Sequence, residues 1–276
     1  MSDITLSAGV RSNLLQLQQT SNLITQTQTR LATGKRVNSA LDNAINFFTA
    51  QGLDNRANDL SGLLDSMSNA INTIQAANNG ITAITKLVQS AQSLASQALQ
   101  TADTSIRATL AAQFDALRTQ IGQLAGDSGF NGVNLLGSNS LTVNFDTVAS
   151  PNTASTTVSG VDYTDATNLG IATAASNNNW AGNTDISASS GQLTTALTTL
   201  RSEAQTLGAN LSVVQIRQDF TKATINTLQT GSSDLTLADS NEEGANLLAL
   251  QTRQQLSTTA LSLAAQADQN VLRLFQ

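Results

Sequence analysis

Leu193-Thr194-Thr195-Ala196-Leu197-Thr198-Thr199-Leu200-Arg201-Ser202-Glu203-Ala204-Gln205-Thr206-Leu207-Gly208-Ala209-Asn210-Leu211-Ser212-Val213-Val214 decides the fold. Leu193, Leu197, Leu200, Ala204, Leu207, Leu211 and Val214 recur at alternating four- and three-residue steps, which is the seam of a packed helix. Phe220, Ile225 and Leu228 extend it toward an expected stop at Gly231. Working outward, the same rhythm returns on both sides. Val10, Leu14, Leu17, Ser21, Ile24, Gln28 and Leu31 form one stripe near the N-terminus. Leu64, Met67, Ile71, Ile74, Asn78, Ile81, Thr85 and Val88 form another. Leu87, Ala91, Leu94 and Ala98 continue it on a shifted, stutter-like seam. Roughly 40 residues of such helix would reach about 60 Å, and the unbroken phase argues for helix across Asn78-Asn79-Gly80. Ile106, Leu110, Phe114, Leu117, Ile121 and Leu124 follow the capping candidates Asp103-Thr104-Ser105. From about Ala245, Leu256, Ala260, Leu263, Ala267, Val271 and Leu274 share a last stripe.

The composition agrees. Of 276 residues, 40% are hydrophobic, 12% charged and 3% aromatic, with a single Pro. Seam flanks are Gln, Thr, Asn and Ser, which bury against further helices at less cost than charges. The expected fold is mainly α: a long antiparallel helical bundle or coiled-coil rod with a terminal helix pair. Residues 141–189 break the rhythm. They are rich in Thr, Ser, Asn and Gly, and Leu141-Thr142-Val143 and Thr156-Thr157-Val158 suggest strands. This stretch reads as a small β-rich or irregular, solvated insert, with Asp146, Asp162, Asp165 and Asp185 and no Lys or Arg. The expected organisation is 1–45 with 234–276 as a terminal coiled coil, 46–140 with 190–233 as a rod, and 141–189 as the insert.

Much chemistry is excluded. There is no Cys and no His, hence no disulfide, thiolate nucleophile, imidazole base or Cys/His zinc site. Neither a metal nor a cofactor is expected. The three Glu include the adjacent Glu242-Glu243, which point apart on a helix rather than across a cleft. No phosphate-cradling glycine loop occurs. A net charge of −6 argues against nucleic acid as a partner. No stretch approaches the ~20 apolar residues of a membrane span, and residues 1–10 lack the basic start of a cleavable signal. The basic residues are too scattered for a membrane-surface helix. Asn210-Leu211-Ser212 matches a glycosylation acceptor but lies on the heptad helix.

The two ends differ in charge. Residues 1–45 hold four basic residues (Arg11, Arg30, Lys35, Arg36) against Asp3 and Asp42, net +2. Residues 234–276 hold Arg253 and Arg273 against Asp234, Asp239, Glu242, Glu243 and Asp268, net −3. Opposite signs favour pairing of the ends. Each terminal helix buries one side at most in a lone pair, and ordering costs roughly 1–2 kcal/mol per residue. The ends are therefore expected to become ordered by packing on further copies of the chain. The seam residues Val10, Leu14, Leu17, Ile24, Leu31, Leu256, Leu263, Val271, Leu274 and Phe275 are the expected assembly contacts.

Three motifs, in order, resemble bacterial flagellin. Arg30-Leu31-Ala32-Thr33-Gly34-Lys35-Arg36-Val37-Asn38-Ser39-Ala40 is similar to the N-terminal signature R-L-[AS]-[ST]-G-x-[RK]-[IV]-N-S-A. Gly129-Phe130-Asn131-Gly132-Val133-Asn134-Leu135-Leu136 resembles the F-N-G-x-x-L-L turn. Gln255-Leu256-Ser257 through Ala260-Leu261-Ser262-Leu263-Ala264 to Phe275 resembles the C-terminal helix. The resemblance covers about 1–140 and 190–276. It implies a non-enzymatic, secreted filament subunit for swimming motility, exported unfolded through the flagellar type III apparatus. The implied partners are further copies or paralogous flagellins, junction and cap proteins, and an export chaperone on the C-terminal helix. A hook–filament junction protein is the alternative. Gly34 reads as a hinge between helical layers or a helix cap, and Phe130-Asn131-Gly132 as a turn or a contact. The insert's Ser and Thr are candidate carriers of O-linked sugars. Many flagellins carry V-R-E-L-A-x-Q-A, which an animal innate receptor reads. Here Gln92, Ser93 and Leu94 stand in that segment. Gln cannot make the planar charged contact of Arg, so the resemblance implies a weak signal from that receptor.

Overall fold

The computed structural model describes residues 8–146 and 154–274, without the side chains of 268 and 271–274. Five helices carry the fold: α1 (Ala8–Thr33), α2 (Ala44–Leu99), α3 (Thr104–Asp127), α4 (Asn183–Thr236) and α5 (Ser240–Leu274). β1 (Leu141–Asn144) and β2 (Ser155–Val158) pair antiparallel, Leu141 opposite Val158. The expected mainly helical architecture is what forms. The chain divides into two compact units, one within 1–57 and 226–276, the other within 58–225.

In the larger unit one apolar cluster joins faces of α2, α3, α4 and the insert. On α2 the buried line is Met67, Ala70, Ile74, Ala77, Ile81, Ile84, Val88, Ala91, Ala95 and Ala98. Met67, Ile74, Ile81 and Val88 were expected. The intervening positions are Ala70, Ala77 and Ile84 rather than Ile71, Asn78 and Thr85. The expected stutter is absent, because alanines continue one phase to Ala98. Small residues on this line let the helices approach closely. The helix does run unbroken through Asn78-Asn79-Gly80.

α3 begins where expected. The Asp103 carboxylate accepts from the backbone N–H of Ser105 (2.8 Å) and Ile106 (3.4 Å), filling the N-cap role. Its buried face is Arg107, Ala111, Phe114, Ile121, Gly122 and Ala125, leaving Ile106 exposed. On α4 the expected seam holds from Leu193 to Val214, every position buried or half-buried. Two expectations fail there. Phe220 is exposed, the seam passing instead through Thr221 and Ile225. The helix also continues past Gly231 to Thr236. An interior glycine weakens a helix by about 1 kcal/mol but does not by itself end it.

The insert departs most from expectation. Its strands form, but it is more than a solvated surface. Tyr163, Leu169, Ile171 and Trp180 are buried. The Trp180 ring lies 5.0 Å from that of Phe114 between centroids, and its Nε1 donates to Ser189 Oγ at 2.9 Å. Asp165 pairs with Arg118 of α3 at 2.8 Å, an ion pair invisible to composition within the insert. Arg118 Nε also donates to the Ile171 carbonyl (2.9 Å), and the Asp115 carboxylate accepts from Ala174 N–H (2.9 Å). Two polar side chains of α3 thus anchor the chain that leads into α4. That helix starts at Asn183, inside the stretch read as insert.

Arg107 closes the unit's other end. Its Nε donates to the carbonyls of Ala98 (3.2 Å) and Thr101 (2.8 Å), Nη1 to the Ala181 carbonyl (3.1 Å), and Nη2 to Asn183 Oδ1. A buried cation is tolerated when its donors are satisfied.

Glu203 supplies a pH dependence. Burial pushes its carboxyl above the ordinary 4.5. Burial first, and the Glu203 charge second, push the Tyr163 hydroxyl above 10.0. The folded state therefore holds the Glu203 proton more tightly than the unfolded chain does. Stability from this group is present at low pH and is lost as pH rises through the raised folded value. Glu203→Gln should flatten that part of the profile and gain stability at neutral pH, as read by urea unfolding at pH 4 and pH 7. An unchanged difference between the two pH values would refute this account.

Candidate assembly interface

The smaller unit is built around α1 and α5, which pack together. The covered line of α1 is Val10, Asn13, Leu17, Thr20, Ile24, Thr27 and Leu31, a continuous 3-4 seam of buried and half-buried positions. Val10, Leu17, Ile24 and Leu31 were expected there. The alternate places fall to Asn13, Thr20 and Thr27 instead of Leu14, Ser21 and Gln28. Thr20 is buried without loss because its hydroxyl donates to the Gln16 carbonyl at 2.9 Å. Leu14, with Leu15 and Leu23, stays exposed.

On α5 the covered positions are Glu243, Leu247, Leu250, Gln254, Ser257, Leu261 and Ala264. The expected stripe is offset by one residue, about 100° around the helix. Leu256 and Leu263 are 67% and 61% exposed, and Ala260 and Ala267 are exposed with them. The helix therefore carries two heptad stripes, one filled by α1 and one open. The side chains of Val271 and Leu274, and all of Phe275, lie outside the described residues. Each helix gives the other one heptad face. What remains uncovered is the second face.

An ion pair joins the two helices. Arg30 Nη1 donates to Glu243 Oε1 at 3.0 Å, with the carboxylate largely buried. At the roots of the two helices, Arg36 N–H donates to the Thr236 carbonyl (2.7 Å), and Ala238 N–H to that of Gly34 (3.0 Å). A short antiparallel bridge, Lys35 opposite Leu237, results. Asp42 ties down the rest of the signature. Its Oδ2 accepts from the N–H groups of Asn38 (3.0 Å) and Ser39 (2.9 Å). These bonds hold its carboxyl below the ordinary 3.8.

Gly34 follows the last residue of α1 at φ +65°, a helix-ending conformation that favours glycine. A Cβ there would meet nothing within 4 Å, so the cost of adding one is purely conformational. Gly34→Ala should cost about 1–2 kcal/mol. Amide exchange in α1 and α5 should speed up while that of residues 58–225 holds. Unchanged protection of α1 would contradict this role.

Phe130-Asn131-Gly132 forms a turn. Phe130 and Val133 exchange both backbone hydrogen bonds (2.9 and 3.0 Å), and Asn131 and Gly132 both have positive φ (48° and 80°), as a two-residue I′ loop requires. The neighbouring Asn134 was not singled out from sequence. Its Nδ2 donates to the last carbonyls of α3, Ala125 (2.8 Å) and Gly126 (2.9 Å), and its Oδ1 accepts from Leu136 N–H (2.9 Å). Gln92 is half-buried and donates to Thr194 Oγ1 at 3.4 Å; Ser93 is exposed and Leu94 half-buried.

Among the described residues no group of three His, Cys, Asp or Glu could hold a metal ion, and no helix is long and apolar enough to cross a membrane. Helices with one face filled and a second apolar face open present an interaction surface. The comparisons with known proteins give the family. The bacterial flagellin N-terminal helical region matches residues 8–140, and the bacterial flagellin C-terminal helical region matches 191–275. Flagellin FljM of Caulobacter vibrioides is 30% identical, covering 100% of this chain and 99% of that protein. A flagellin of Brucella melitensis is 29% identical over 100% of both. A crystal structure of Bacillus cereus flagellin matches 58% of this chain and 88% of that one at 18% identity, with a TM-score of 0.45. This chain belongs to the bacterial flagellin family, in its alphaproteobacterial type. It is a structural subunit of the flagellar filament, an extracellular assembly.

Proposed function

We propose that the chain polymerises through the open faces of α1 and α5, and that this pair forms the inner layer of the filament. The single observation that carries this is the second heptad stripe of α5, apolar and uncovered at Leu256 and Leu263. An apolar seam gains about 25 cal/mol for each Å² it removes from water, and another flagellin subunit supplies a matching seam. In this reading 1–45 and 234–276 form the inner tube, 46–140 and 190–233 the surrounding rod, and 141–189 the outward surface. Val10, Leu14, Leu17, Ile24 and Leu31, with Leu256, Leu263, Val271, Leu274 and Phe275, divide between the contact within a chain and the contact among chains. Paralogous flagellins fit the same seams, as do the junction and cap proteins at the filament ends. An export chaperone covers α5 before assembly. Gln92 and Ser93 leave the receptor segment without its charged pair, so the innate receptor responds weakly. Catalysis has no part in this function.

Seeded growth tests the proposal. Purified chain added to filament fragments should extend them into long fibres visible by electron microscopy. A chain that caps seeds without extending them would be a junction protein instead.

A further inference from the structure

The chain contains two Asn-Gly steps, Asn79-Gly80 and Asn131-Gly132. Their covalent chemistry is the same and their settings differ. The first lies inside α2, with Gly80 buried and its N–H committed to the helix ladder. The second is the exposed loop between Phe130 and Val133. Among the described residues, neither the Asn131 side chain nor the Gly132 N–H has a hydrogen-bond partner. A Cβ built on Gly132 would meet nothing within 4 Å, so the peptide joining the two residues has room to turn.

We propose that Asn131 is a site of self-modification by deamidation, with the Gly132 backbone nitrogen attacking the Asn131 side-chain amide. Gly132 N gives up its proton and bonds to Asn131 Cγ. The Cγ–Nδ2 bond breaks, and Nδ2 takes the proton and leaves as ammonia. A five-membered cyclic imide remains. Water then opens either imide carbonyl, leaving aspartate or isoaspartate. Ring closure requires Gly132 N to eclipse Asn131 Cβ. That sets ψ of Asn131 at about −120°, the value of the first central residue in a type II′ turn. Asn131 already has φ +48°, which suits II′ as well as the I′ turn it occupies. Flipping the single Asn131–Gly132 peptide converts one turn into the other. Both are two-residue hairpin loops, so the Phe130–Val133 pair of hydrogen bonds survives the flip. Gly132 passes from φ +80° to negative φ, and glycine takes either sign readily. Asn79 has no such route, because the same ψ takes it out of helical geometry and breaks the α2 ladder. Isoaspartate runs the chain through the side-chain methylene and lengthens the loop by one backbone atom. Phe130 and Val133 then no longer exchange both hydrogen bonds, and the loop that seats Asn134 on the end of α3 is altered.

The test follows both sites in one molecule. The purified full chain is held at pH 8, folded and in guanidinium chloride, and sampled over time by peptide mapping with mass spectrometry. In the unfolded chain the two sites should convert at similar rates. In the folded chain Asn131 should convert at least ~10-fold faster than Asn79, because α2 must open before Asn79 can react. Equal rates at the two sites in the folded chain, or an Asn131 that converts only after unfolding, would overturn the proposal and leave the filament reading standing.

Discussion

Leu263→Asp should leave the free subunit folded and abolish its polymerisation. Leu263 is 61% exposed in the single chain, so a carboxylate there stays in water and costs the subunit almost nothing. In the subunit contact proposed above the same position lies in a packed seam. An unpaired charge buried there costs about 3–5 kcal/mol, which raises the critical concentration more than ~100-fold. Circular dichroism of the free chain and turbidity after seeding separate the two effects. Leu261→Asp makes the useful contrast, since Leu261 is half-buried on the covered face of α5; it should harm the subunit as well as the polymer. Normal fibre growth by Leu263→Asp would remove α5 from the subunit contact.

Trp180→Ala should be the most damaging change within the larger unit. The ring is fully buried and packs on Phe114, and its indole donates to Ser189. Truncating a buried Trp costs about 3–5 kcal/mol. For a unit of this size that lowers Tm by about 6–20 °C. Ser189 Oγ keeps a second donor, Asn177 Nδ2 at 2.8 Å, so lost volume dominates the effect. Trp180→Phe should recover most of the loss. A shift under 2 °C for the alanine variant would show that the insert is peripheral to the core after all.

The helical architecture was legible because heptad rhythm survives in sequence wherever leucines carry it. The α4 seam, Leu193 to Val214, needed no structure to be seen. Two kinds of information were harder to read. Small and hydroxylated residues carry seams without announcing themselves. Ala70 and Ala77 hide the true phase of α2, and Thr20 helps hide that of α1, because a threonine that bonds its own helix backbone can be buried like a valine. The second limit is that α5 has two apolar stripes, and a one-dimensional pattern cannot say which stripe meets its own chain. The sequence marks the stripe of Leu256 and Leu263, but Leu247, Leu250, Leu261 and Ala264 are the ones on the face that α1 covers. The insert hid its core for a different reason. Trp180 and Tyr163 are isolated in a polar stretch, and their burial depends on Arg118 and Asp115 of α3, far away in sequence.

The Arg30–Glu243 pair joins residues 213 positions apart. Everything between them must be made before α1 can meet α5. A ribosome releases α1 first and α5 last, and bringing such distant segments together carries a loop-closure cost that short-range helical contacts avoid. Until α5 is made, α1 lacks the face that covers its seam in the folded chain.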